Sequence, residues 1–316
     1  VAEPTVNQLV ATTLANYHKQ FADNVSNSNA VLALLNQGDR KRTVDGGRSI
    51  NCPLTYAEET FAWYMGTEIL SRAVKETISE ADYEPANAVA SVTLSGPDMA
   101  KNKGRERILN LLEGKMDNAE ATMKNNITKA VYGDGTVAKS FAGLKAMITN
   151  DGTGIVGGID ASTWTFWKNQ FQTATRQTGV LQFADLKAAM NALWLKLVRG
   201  TEHADLVVVD GEIYATYEGG LQENQRYADA RLGALGFETL KYKSAALVYD
   251  GAATGLVGGY FINTKYFKFE VYEGRDFEAL DLPDSSVDMD AITKHIAFMG
   301  ALTLSNRSMQ GRLIIA

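Results

Sequence analysis

The 316 residues carry 45% hydrophobic and 22% charged side chains, the balance of about two folded domains rather than of a disordered chain. No apolar run approaches the ~20 residues that cross a bilayer, and Val1–Asn7 lacks a basic-then-apolar leader pattern. A net charge of −6 and a pI near 5.3 oppose tight phosphate binding, and Cys52, the only cysteine, rules out an intrachain disulfide.

The first predicted element is a helix over Thr5–Asn24, with Val6, Val10, Thr13, Tyr17 and Phe21 on one stripe. The Asn/Ser cluster at 24–29 breaks it, and a short apolar run, Ala30–Leu35, follows. Arg40-Lys41-Arg42 then leads into Asp45-Gly46-Gly47, a hairpin-type turn. Beyond it lie β-favouring stretches at Thr55-Tyr56, Thr60–Tyr64 and Val89–Leu94. A two-stranded excursion of this length is marginal alone in water and needs a surface to lean on.

Ser95-Gly96-Pro97-Asp98 reads as a helix start, with a hydroxyl cap, proline in the first turn and an acid facing the free N–H groups. Ile108, Leu112, Met116, Ala119, Met123, Ile127 and Val131 then recur every three or four residues. Gly133-Asp134-Gly135 ends the run, so Pro97–Tyr132 predicts a helix of about 50 Å. Residues 141–158 read as a glycine-rich loop, followed by a helical pair over 163–177 and Phe183–Val198. The stripe of the second helix is Phe183, Leu186, Met190, Leu193 and Leu197. Ala204–Val209 predicts a buried strand and Gly211–Gly219 a short helix. Phe267, Phe269 and Val271 alternate with Lys268 and Glu270 as a half-buried strand, with further strands at Ile292–Met299 and Leu302–Ile315. Long helices mixed with antiparallel strands, without a βαβ rhythm, point to an α+β fold.

Catalytic and ligand motifs are weak. Gly152-Thr153-Gly154-Ile155-Val156-Gly157 spells the dinucleotide fingerprint but lacks the preceding strand and following helix, so it reads as a loop. His18, His203 and His295 stand apart, without a second ligand at metal spacing. Asp281, Asp284, Asp288 and Asp290 form an acidic run without the register of a calcium loop. Cys52 precedes Pro53 with no base in sequence proximity, and Glu58-Glu59 cannot share a strand face. The expectation is therefore no catalytic residue, no cofactor and no metal.

Several blocks, in order, resemble the tailed-bacteriophage major capsid proteins of the Hong Kong 97-type fold, over roughly Thr55–Leu313. They are Ala81-Asp82-Tyr83-Glu84, Ser95-Gly96 with Asn102-Lys103-Gly104, and Val131-Tyr132-Gly133-Asp134-Gly135-Thr136 with Gly143-Leu144. Later come Gly236-Phe237 with Leu240-Lys241-Tyr242, Tyr260–Tyr266, Gly300–Arg307 and Gln310-Gly311-Arg312-Leu313. Ala301 stands where the family pattern has asparagine.

The resemblance implies an N-terminal arm (1–37), an extended β-hairpin loop (38–94) and a peripheral domain with a long spine helix (95–150). An axial domain (151–262) and returning strands shared by the peripheral and axial domains (263–316) complete it. It also implies a virion subunit, assembled in the bacterial host cytoplasm into hexamers and pentamers of a closed shell. Scaffolding, portal and possible cement proteins are the implied partners, with duplex DNA enclosed rather than gripped. The scaffold is expected as a separate protein or one already cut off. Intersubunit contacts are expected at Arg40, Lys41 and Arg42 and along the loop from Met65 to Lys75. Two rival readings are an encapsulin-type compartment of the same fold and a soluble α+β enzyme using the Asp281–Asp290 cluster.

Overall fold

A computed structural model describes residues 31, 35, 40–69, 73–97, 105–221, 239–250, 256–280 and 291–316. In chain order the first strands are β1 (Lys41–Val44), β2 (Ile50–Thr55), β3 (Ile78–Tyr83) and β4 (Ala86–Ser95), followed by helix α1 (Arg105–Tyr132). Next come α2 (Leu144–Met147), β5 (Ile155–Val156), β6 (Ile159–Asp160), β7 (Gln170–Ala174), α3 (Phe183–Leu197), β8 (Leu206–Val209) and α4 (Gly211–Gly220). The remainder is β9 (Thr239–Tyr242), β10 (Ala245–Tyr249), β11 (Gly259–Ile262), β12 (Phe267–Leu280), β13 (Ala291–Leu304) and β14 (Gly311–Ile315).

Two larger sheets organise these elements. One has the order β1-β12-β13-β4, the other β7-β14-β11-β8-β10-β9. In the second, successive residues of the central strands point to opposite faces, and both faces are covered. Leu206, Val208, Ala246, Val248, Tyr260 and Ile262 join the core that holds the first sheet and α1. Val207, Val209, Leu247, Phe261, Leu313 and Ile315 form a second core with Leu186, Met190, Leu193 and Leu197 of α3 and Ile213 and Tyr217 of α4. The predicted stripe of α3 is thus buried, with Phe183 packed at its edge. Asp210 caps α4 by accepting from the Ile213 N–H at 2.8 Å.

The 28 residues of α1 span about 42 Å. Met116, Met123, Ile127 and Val131 are buried with Ala119 beside them, as the stripe predicts; the side chains of Ile108 and Leu112 lie outside the described residues. Gly135, at φ +74, follows the helix end. Tyr132 donates to Asp250 Oδ2 at 2.6 Å, tying that end to β10.

Four predicted elements come out differently. Residues 163–177 are not a helix: Thr165–Trp167 makes one 3-10 turn and β7 pairs parallel with β14, a long-range contact that overrides local pattern. The turn at 45–47 does not close a hairpin, because β1 pairs parallel with β12 while β2 pairs with β3. Glu270 is buried rather than solvent-facing, with Cys52 of β2 and Thr303 of β13 against its carboxylate. The two final strands break at 305–310, not at 300–301: β13 runs unbroken to Leu304, and a 3-10 turn at Arg307–Met309 precedes β14. The Gly152–Gly157 stretch is a loop closing on the β5–β6 pair, with Gly152, Gly154, Gly157 and Gly158 at positive φ. The predicted helix at 5–24, the acidic run 281–290, His18 and the block at 102–104 lie outside the described residues.

A candidate self-association surface

The most unusual surface is the ribbon of β2 and β3. Its antiparallel register sets Cys52 opposite Ala81 and Leu54 opposite Ser79. Along β2, Ile50, Cys52 and Leu54 are buried and Asn51, Pro53 and Thr55 exposed, the alternation of a strand with one covered face. On β3 the burial reaches only Ala81 and Tyr83 and is lost towards Ile78. The ribbon is therefore anchored at one end.

Polar contacts fix that root. Tyr83 donates its hydroxyl to the Leu304 carbonyl at 2.8 Å, and the Asp82 N–H donates to the Gly157 carbonyl at 3.0 Å. Gly157 sits at φ +58, and a Cβ there would come within 2.8 Å of Ala81 Cβ, so only glycine fits. Beneath the ribbon, Thr303 donates to the buried Glu270 Oε1 at 3.1 Å, with Cys52 Sγ at 4.0 Å. Burial first, then the Glu270 charge, push the Cys52 thiol up, so it stays protonated and inert. Burial likewise pushes up the Tyr83 phenol. Halfway out, Tyr56 stacks on Phe166 (5.5 Å, 26°) and meets Trp164 edge-on (5.6 Å). Thr77 closes the neck, donating to Glu59 at 2.6 Å and accepting at its carbonyl from the Tyr56 N–H at 2.9 Å.

Past the neck the chain leaves its own core. Trp63 is 90% exposed, Met65 85%, Ile69 99% and Val74 97%, with Phe61, Tyr64 and Ile78 also open to solvent. Phe61 and Trp63 touch each other in a T at 5.3 Å. Scattered exposed apolar residues are ordinary, but seven large ones lie exposed within the single segment from Phe61 to Ile78.

Met65 and Lys75 both lie on the segment between β2 and β3 and are exposed. Arg40, Lys41 and Arg42 lie elsewhere, leading into and along β1 at the edge of the first sheet. Arg40 pairs with Asp205 at 3.3 Å and Lys41 with Asp276 at 2.6 Å, so two of the three basic groups meet carboxylates of their own chain; Arg42 is exposed. Ile69 and Val74 fall within the loop from Met65 to Lys75 expected to meet other subunits, whereas Phe61 and Trp63 read only as part of a β-favouring stretch, because apolar character alone does not say which face lacks a cover. Among the described residues no three His, Cys, Asp or Glu side chains converge to hold a metal ion, and no helix is long and apolar enough to cross a membrane. His203 stacks on Trp194 at 5.3 Å, and His295 meets Ser91 at 2.8 Å on an exposed strand pair.

No family sequence profile matches the chain, and no curated protein sequence does either. Solved structures do match. The capsid asymmetric unit of Cyanophage A-1(L) superposes with a TM-score of 0.69 at 15% identity, covering 92% of both chains. This chain has a phage capsid fold. The capsid of a native GTA particle gives 0.61 at 13% identity over 88% of this chain and 89% of the other. The capsid of Cyanophage P-SCSP1u gives 0.55 at 14% identity over 87% and 86%. The α+β, Hong Kong 97-type architecture expected from the sequence blocks is thus the architecture found, with the long α1 lying against the sheet that contains β4.

Proposed function

We propose that this chain is the major capsid protein of a tailed bacteriophage, a non-enzymatic subunit that closes by self-association into an icosahedral shell. The observation that carries the reading is the anchored ribbon whose apolar tip, Phe61 to Ile78, has no cover within its own chain among the described residues. Such a tip is stable in water when a sibling subunit supplies the missing face. Closed symmetry repeats that contact around each hexamer and pentamer, so modest individual interfaces suffice. The net charge of −6 suits a container that encloses duplex DNA without gripping it. Scaffolding, portal and possible cement proteins are proposed partners, and the virion the proposed location, after assembly in the host cytoplasm.

Electron microscopy of the purified protein, with size-exclusion chromatography across salt and concentration, tests the proposal. Closed particles are expected. A species that stays near 34.4 kDa would overturn it, and particles filled with an enzyme rather than DNA would favour a cargo compartment. Charge reversal at the exposed Arg42 and Lys75 is expected to lower particle yield without changing subunit helicity.

A further inference from the structure

We propose that Asp45-Gly46, in the exposed link between β1 and β2, is a site of spontaneous isoaspartate formation, and that folding confines this main-chain rearrangement to it. The reaction needs one subunit only and stands apart from the shell reading.

The chemistry is that of an aspartyl side chain beside an unhindered amide. The Gly46 nitrogen attacks Cγ of Asp45 and forms a new N–C bond. The carboxyl hydroxyl leaves as water with the proton of that nitrogen, and a five-membered succinimide remains. Water then reopens the ring at either carbonyl. Opening at the α-carbonyl leaves the chain running through the β-carboxyl, one methylene longer, with a free α-carboxylate. The side chain must therefore be free to turn onto the next nitrogen, that N–H must be unengaged, and the next residue must carry no crowding Cβ.

Five Asp-Gly pairs occur, at Asp45, Asp134, Asp151, Asp210 and Asp250. The fold restrains four of them. Asp134 accepts from the Thr136 N–H at 3.1 Å, from its hydroxyl at 2.6 Å and from Lys145 at 3.1 Å. Asp151 accepts from the Thr153 N–H at 3.0 Å and its hydroxyl at 2.6 Å. These bonds aim each carboxylate at the residue two positions on and hold it anionic, below the usual carboxylate range, which makes it a poor electrophile. Asp210 is committed through both oxygens, to the Ile213 N–H at 2.8 Å and the Gly258 N–H at 2.6 Å, and Gly211 opens α4. Asp250 is buried, with the Tyr132 hydroxyl on Oδ2 at 2.6 Å.

Asp45 meets every condition. Asp45, Gly46 and Gly47 are exposed and belong to no strand or helix. Among the described residues the Asp45 carboxylate has no hydrogen bond or ion pair, and the Gly46 N–H has no acceptor. A Cβ on Gly46 would meet nothing within 4 Å. The link is nonetheless held at both ends, since Val44 pairs with Tyr272 on β12 and the Tyr272 hydroxyl donates to the Gly47 carbonyl at 2.9 Å. An inserted methylene slackens the passage from the first sheet into the ribbon root.

The purified full-length chain, aged folded and in parallel unfolded in guanidinium chloride, then cut with trypsin, provides the test. Cleavage after Arg42 and Arg48 gives the peptide 43–48, in which Asp45 is the only acid. Its isoaspartyl form keeps the same mass, separates by chromatography and is labelled by isoaspartyl methyltransferase; the succinimide is lighter by one water. In the folded chain, label is expected to build up in this peptide roughly tenfold faster or more than in the other four, because their hydrogen bonds must open first. In the unfolded chain the five should converge. Gly46→Ala should slow labelling roughly tenfold with unchanged melting, because its Cβ crowds only the attacking nitrogen. Asp45→Glu should abolish it, since the ring would need six members. Equal labelling at Asp134 or Asp151 in the folded chain, slower labelling of Asp45 folded than unfolded, or full labelling in either variant would overturn the assignment.

Discussion

Truncating Trp63 separates assembly from folding. Its ring is 90% exposed, so Trp63→Ala deletes no core packing and should leave subunit stability within about 0.5 kcal/mol. On the proposed reading a sibling subunit covers the same ring. A tryptophan buries roughly 200 Å², worth about 5 kcal/mol at about 25 cal/mol per Å². Incomplete coverage and the ordering of the tip reduce the net gain to about 2 kcal/mol, a roughly thirtyfold change in association at each contact. The assay pairs urea unfolding of dissociated subunits with light scattering across a concentration series. The variant should show an unchanged unfolding midpoint and a critical assembly concentration raised by an order of magnitude or more. A critical concentration within about threefold of wild type would refute the reasoning, as would a loss of subunit stability of the size a core truncation causes.

Other consequences follow from the packing. Met116→Asp sets a charge on the buried stripe of α1 and should abolish soluble folding, read as loss of protein from the soluble fraction on expression. Tyr83→Phe leaves the Leu304 carbonyl without its donor at the ribbon root, a cost of about 1–3 kcal/mol visible as a lower melting temperature. Acid should destabilise the subunit below about pH 4. Thr136 and then Lys145 hold Asp134 below the usual carboxylate range, Thr153 does the same for Asp151, and Arg176 for Glu212. With folded pKa values below the unfolded ones, the stability these groups contribute is present above the unfolded pKa and lost as pH falls through the folded one. Melting temperatures that stay flat from pH 5 to pH 3 would contradict this.

What could be read from the sequence was local. The stripe of α3 and the short helix α4 are legible because their signals lie within a few residues of each other. The same holds for the α1 stripe at Met116, Met123, Ile127 and Val131. What escaped depends on distant chain. Gln170–Ala174 becomes a strand because β14 lies beside it, and Glu270 is buried with Cys52 of β2 against its carboxylate. Arg40 and Lys41 read as a free basic cluster until Asp205 and Asp276 are brought to them. The loop from Met65 to Lys75 is expected to meet other subunits only through the resemblance; the exposure of Phe61, Trp63 and Tyr64 could not be read from the residues. These are the residues of an ordinary half-buried strand, and only the fold shows that the covering half is absent from this chain's described residues.

The closing block, Gly300 to Leu313, is one of the stretches that carry the sequence resemblance, and its residues join the two sheets. Gly300 lets β12 pass within a distance no Cβ would allow, with a Cβ there 2.6 Å from the Glu270 carbonyl. Arg307, fully buried, donates to the carbonyls of Met147 and Thr153, each at 2.8 Å, and to Thr149 Oγ1 at 3.1 Å. Burial pulls its pKa down to about 10, so it remains charged at neutral pH and its donors remain committed. Gln310 accepts from the Asn263 N–H and donates to the Asn263 carbonyl. Arg312 lies over the Tyr260 ring and donates to Val257, Gly259 and Asn150. These groups sit where β13 leaves one sheet and β14 enters the other, and each satisfies backbone that would otherwise be buried unpaired. Because Tyr83 hangs the ribbon on Leu304, three residues before Arg307, a load applied at the ribbon root passes directly into the joint between the two sheets. The ribbon root, the sheet of β12 and β13 and the second sheet thus meet at one short polar stretch, and substitutions there are expected to lower the melting temperature by more than their individual hydrogen bonds would.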